Sequence, residues 1–122
     1  MKYIPGVCNI GPAERAKRRR SGIMAAVTTV VLLAVLLVID APRAWRLLLI
    51  LPASASASGF LQDAFHFCAG FGMKGLYNVV NSAGVTNDVA SEEFRRLDRR
   101  KALKIIALSL AIGIVVAGLS LL

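Results

Sequence analysis

The chain has 122 residues, 57% of them hydrophobic and only 18% charged, with a net charge of +8. So apolar a composition, gathered into uncharged runs, excludes an ordinary small soluble domain and indicates a membrane protein. The basic excess would suggest nucleic acid in a soluble chain, but here it flanks apolar runs, where the positive-inside bias accounts for it, so no nucleic-acid partner is expected. Two cysteines, Cys8 and Cys68, are too few for a disulfide framework, and no Cys-x-x-Cys pair is present.

Taken in order, residues 1–21 form a basic segment. Gly11-Pro12-Ala13-Glu14 predicts a helix start, with Pro12 at the first helical position and Glu14 near the positive end of the helix dipole. Residues 1–10 are expected outside that helix. Lys17 to Arg20 resemble the charged region of a signal peptide, whose apolar core is only about 7–15 residues long. Here the chain is uncharged from Gly22 to Ile39, which fits a retained anchor. At about 1.5 Å per residue this run covers about 27 Å, close to a bilayer core of about 30 Å. Asp40, Ala41 and Pro42 end it, because the residue before a proline disfavours helix and a carboxylate prefers water.

A middle span is expected over 45–67, weakened by Pro52, by the alternating Ala53 to Ser58 segment, and by Asp63 and His66. Charge placement decides for it. Six basic residues lie in 1–20, two at Arg43 and Arg46, and seven in 74–104. Only with the middle span do both large groups share one side of the membrane. Trp45 next to Arg46 reads as an interfacial anchor, and Pro52 predicts a kink or wide turn between Leu48 and Ser54. Residues 74–101 form a loop on the basic side, irregular around Asn78, Asn81, Gly84, Asn87 and Asp88. Within it Ser91 followed by Glu92 and Glu93 is an N-cap signal, so the third helix should begin near Glu92, before the last span at 102–122.

The expected fold is an all-α integral membrane protein with three transmembrane helices, helices 1 and 3 extending into the cytoplasm. A basic segment, 1–21, precedes a membrane domain, 22–122. The basic bias puts the N-terminus and residues 74–101 in the cytoplasm and residues 40–46 and Leu122 outside. A multi-pass protein of a bacterial inner membrane is the expected setting.

Asp63, His66, Cys68 and Cys8 are the residues that suggest chemistry. An Asp costs roughly 2.5–3.5 kcal/mol at the centre of a membrane helix, but Asp63 lies about 27 Å along the middle span, at its inner end. Asp63 and His66, three apart, share a helix face and predict a carboxylate–imidazole hydrogen bond. Cys8, His66 and Cys68 are candidate metal ligands, and His66 is a candidate cofactor ligand; His66 and Cys68 point apart on a helix, so the set requires the helix to end there. The identity of any cofactor is unknown from the sequence. With Phe65, Phe67, Phe71 and Tyr77 around it, His66 also fits an aromatic girdle.

A small and polar stripe supplies the packing expectation. Ser54, Ser58 and Gln62 recur at four-residue spacing with Gly59 beside them, and Ser109, Gly113 and Ala117 repeat the spacing in the last span. Arg18, Arg19, Arg20, Arg95, Arg96, Arg99, Arg100 and Lys101 are expected to meet an anionic inner leaflet or an acidic partner surface. No phosphate loop, metalloprotease motif or nucleophile elbow occurs, and no enzyme is expected. The leading functional reading is an accessory or structural subunit of a larger membrane complex, or a homo-oligomer. A cofactor- or metal-binding subunit using His66, or a small oligomeric transporter or channel using Asp63, are the alternatives.

Overall fold

The computed structural model describes residues 3–79 and 85–122; Asn81 and Gly84 of the expected loop lie outside these. The chain is mostly helical, in the order α1 (Pro12–Val38), a 3₁₀ segment (Arg43–Leu49), α2 (Ile50–Ala64), α3 (Ala69–Lys74), β1 (Leu76–Tyr77), β2 (Asn87–Asp88) and α4 (Glu92–Ser120). Three helical segments, Pro12–Val38, Arg43–Ala64 and Glu92–Ser120, are long and apolar enough to cross a membrane.

Each boundary has a local cause. Helix α1 starts with Pro12 in its first turn, where the missing N–H has no partner to lose, and Glu14 follows at the positive dipole end. It ends ahead of Asp40, which sits in the left-handed region at φ 54°. The middle span is not one uniform helix. A proline interrupts the hydrogen-bond ladder before it, and the chain meets this with seven residues of 3₁₀ helix, so that Pro52 falls in the first turn of α2. The bend expected near Leu48 to Ser54 is thus a change of helix type. At its far end α2 stops at Ala64, short of residue 67, because His66 adopts φ 56°. Helix α4 begins at Glu92, where Ser91 Oγ accepts from the Phe94 N–H at 3.3 Å.

Helix α2 is the central element, packed against α1 on one side and α4 on the other. The α1–α2 crossing is a contact of backbones. A Cβ on Gly59 would stand 2.6 Å from Gly22 N and 2.7 Å from the Arg18 carbonyl oxygen, and Ser56 Oγ donates to the Gly22 carbonyl at 2.8 Å. Helices this close gain dispersion contacts, which carry association where lipid removes the hydrophobic drive. Helix α4 buries Asp98, Ala102, Ile105, Ser109, Gly113 and Ala117, a stripe at three- and four-residue spacing. At Gly113 a Cβ would collide with Ser54 Oγ and come 2.9 Å from the Ile50 carbonyl oxygen.

The two ends of the bundle differ. At the end carrying Trp45, the Arg46 guanidinium donates to the Ser120 carbonyl at 2.7 Å, satisfying a carbonyl in the last turn of α4. At the basic end Phe67, Ala69, Ala102 and Ile105 form a buried apolar cluster. Above it residues 3–11 fold back over α3, the β1–β2 pair and the start of α4, which are held by the polar groups described next.

Candidate functional site

The strongest concentration of buried polar groups is at the basic end, where Asn9, Glu14, Asn78 and Asp98 are all within 1% of full burial. Such burial is tolerated only when each group is hydrogen-bonded. The Asn9 side chain brackets one peptide: its Oδ1 accepts from Cys68 N at 2.6 Å and its Nδ2 donates to the Cys68 carbonyl at 3.2 Å. The backbone continues the join, with Asn9 N donating to the His66 carbonyl at 3.1 Å, Asn78 N to the Asn9 carbonyl at 2.8 Å, and Gly11 N to the Asn78 carbonyl at 2.8 Å. Three segments distant in sequence meet here.

Glu14 fixes the arginine below it. Arg18 Nη1 donates to Glu14 Oε2 at 2.5 Å and Asn78 Nδ2 to Glu14 Oε1 at 3.4 Å. The other arm of the guanidinium donates to Cys68 Sγ at 2.9 Å, and its carbon lies 5.5 Å from the centroid of the Phe71 ring. Arg18 therefore has one orientation, set by an acid, a thiol and an aromatic face.

Asp98 performs a similar task for the first residues. It accepts from Tyr3 Oη at 2.6 Å and from Gly6 N at 2.7 Å, while the Tyr3 ring stacks on Tyr77 with centroids 4.4 Å apart. Burial, then the hydrogen bond and charge of Asp98, push the Tyr3 phenol well above its ordinary range. A raised value means that the folded segment favours the neutral phenol. Its contribution is full below the unfolded tyrosine value of about 10 and is lost as pH rises above it. Residues 3–11 are expected to become protease-sensitive above about pH 10, and Tyr3→Phe should move that onset; the same alkaline onset in both proteins would count against the assignment.

The residues singled out by sequence are placed differently. Cys8, His66 and Cys68 do not converge. Cys8 Sγ donates to the Ile10 carbonyl at 3.6 Å, Cys68 Sγ faces Arg18, and His66 Nδ1 lies 3.2 Å from the Ala64 carbonyl. Among the described residues, no group of three His, Cys, Asp or Glu side chains is arranged to hold a metal ion. The helix does end before Cys68, as a chelate would require, but what it presents is the His66 carbonyl, which accepts from both Asn9 N and Ile10 N. The expected Asp63–His66 bond is replaced by ion pairs from Asp63 to Arg15 and Arg19, each at 3.1 Å. Two cations near the carboxylate outcompete an imidazole whose backbone has left the helix.

The packing stripe is divided rather than continuous. Ser54 and Gly59 face opposite neighbours, α4 and α1 respectively, while Ser58 and Gln62 line a cleft together with Lys17, Arg18 and Ser21. Ser109, Gly113 and Ala117 are buried on α4. Of the basic residues, Arg18 is drawn inward; Arg19, Arg20, Arg96, Arg99 and Arg100 are exposed. Arg95 Nε donates to the Val89 carbonyl at 2.6 Å, and Lys101 Nζ sits 4.4 Å from the Phe65 ring centroid.

Tyr3, Asn9, Asn78 and Asp98 were not legible as partners. The i,i+4 spacing of Glu14 and Arg18 is a local signal for one pair. The others join residues 59 to 95 positions apart, for which one sequence carries no spacing rule. Comparison of the chain with family models, curated proteins and solved structures gives no match.

Proposed function

We propose that the chain is a small multi-pass membrane protein acting as an accessory or structural subunit of a larger membrane complex. One observation supports this above others. Because α2 separates α1 from α4, the bundle leaves an open apolar groove of about 450 Å³, with Ala26 and Thr29 on one wall, Ala53 and Ala57 on the floor, and Ile112 and Val116 on the other wall. The small floor from Ala53 to Ala57, closed at one end by Phe60 and Leu61, and the branched side chains of the walls match an apolar transmembrane helix of a partner protein that approaches closely over the small stretch. The basic residues support an orientation with this end in the cytoplasm of a bacterial inner membrane and Leu122 outside.

A photo-crosslinker at Ile112 should capture a partner polypeptide, and Ala26→Phe, which fills the groove, should abolish capture while leaving helix content unchanged. Capture of lipid alone, or of the same species from exposed Val38, would sink the docking claim. Reporter fusions at residues 42 and 122 should both read as external; two cytoplasmic signals would overturn the orientation.

A further inference from the structure

A second cleft, about 330 Å³, opens between α1 and α2 at the basic end. Its polar wall is Lys17, Arg18 and Ser21 from α1 with Ser58 and Gln62 from α2, over a floor at Gly59. Among the described residues, no carboxylate lines it. The acids of these two helices at this end stand outside its lining: Glu14 pairs with Arg18 from behind the cleft, and Asp63 pairs with Arg15 and Arg19.

The donors are partly fixed in advance. Arg18 is oriented by Glu14 and Cys68, which use two of its five N–H groups. Gln62 Nε2 donates to the Ser58 carbonyl and Oγ while its Oε1 accepts from Ala69 N, so the Ser58 hydroxyl keeps its own hydrogen to donate. Among the described residues, the side chains of Lys17 and Ser21 have no hydrogen-bond or ion-pair partner. The unpaired charge of Lys17, the remaining N–H groups of the Glu14-paired Arg18 and two hydroxyls around one cleft present donors to an anion with several acceptor oxygens.

Position selects the kind of anion. Lys17 to Ser21 directly precede the uncharged run of α1, at the level where headgroups lie if the chain spans a bilayer. Ala55 closes the cleft on its apolar side, and the same face of α2 continues to exposed Leu51, an apolar track for acyl chains. We propose that this cleft binds the phosphate of an anionic phospholipid, with its chains along the α1–α2 seam. This rests on the membrane-spanning reading but not on the docking groove, which involves other residues.

The test is native mass spectrometry of the protein released from phosphatidylcholine vesicles containing phosphatidylglycerol. Wild type should retain phosphatidylglycerol in preference to phosphatidylcholine. Lys17→Gln should weaken retention about fivefold, as expected for one cation near an anionic headgroup. Ser21→Leu, which fills the cleft without altering charge, should abolish the preference. Lys104→Gln, which removes an exposed charge from α4, should leave it unchanged. Equal losses in Lys17→Gln and Lys104→Gln, or full retention in Ser21→Leu, would reduce the effect to diffuse attraction and overturn the site. Displacement of the lipid by inorganic phosphate alone would overturn the choice of a phospholipid. A chain that inserts into vesicles with no phosphatidylglycerol preference overturns this proposal and leaves the packing role standing; failure to insert overturns both.

Discussion

Gly59→Val is expected to destabilise the bundle by about 3 kcal/mol, the upper end of what overpacking usually costs. The reason is the nature of the atoms that a side chain would meet. They are Gly22 N, Gly22 Cα and the Arg18 carbonyl oxygen, all within 2.7 Å, and backbone cannot rotate aside as a side chain can. Relief requires α1 and α2 to separate, which also stretches the Ser56–Gly22 hydrogen bond. An SDS-unfolding titration of the detergent-solubilised protein reads this directly, and an unshifted midpoint would refute the close crossing. Gly113 provides the contrast, because its nearest obstacle is the Ser54 hydroxyl, a buried group with no hydrogen-bond partner among the described residues. Ser54→Ala should therefore recover part of the loss caused by Gly113→Ala, though not the part due to the Ile50 carbonyl.

Glu14→Ala is expected to have a comparable effect by different means. Removing one partner of a buried ion pair costs about 3–5 kcal/mol, and the lower figure applies because Arg18 retains some solvent contact. The loss would release Arg18 from its orientation and remove an acceptor from Asn78, loosening the join between α1, residues 66–68 and β1. Cys8 and Cys68, both free and buried, then report the opening. Maleimide labelling of either thiol should accelerate in Glu14→Ala, and less so in Glu14→Gln, which keeps an acceptor oxygen. Labelling at the wild-type rate would show that Glu14 does not hold this end closed. The three long helices should persist in circular dichroism, since their packing lies below the cluster.

These two expectations concern different physical problems at one junction. Gly59 lets two helices approach, and the approach places Lys17, Arg18 and Ser21 beside Ser58 and Gln62. Glu14 then holds Arg18 still, so that the cleft has fixed donors rather than a mobile charge. Packing and electrostatics are coupled through Arg18, whose carbonyl touches the site of the missing Gly59 side chain and whose guanidinium bridges Glu14 and Cys68.

What the sequence determined by itself was set by terms that act locally or add along the chain. Apolar length gave the three helices long enough to cross a membrane, the charge distribution argued for retaining the middle one, and Pro12, Ser91 and Pro52 marked a start, a cap and an irregularity. Each depends on neighbours within a turn or two. Tertiary structure alone decided which buried groups became partners. His66 attracted attention as an imidazole but serves the fold through its carbonyl, because a left-handed residue there turns that carbonyl toward Asn9 and Ile10. Asp63 chose arginines from α1 over the neighbouring histidine, and Asp98, an acid within a basic run, turned inward to hold Tyr3 and Gly6. In each case the partner lies far away in sequence, and the preference is a competition between contacts that exist only after the helices have packed.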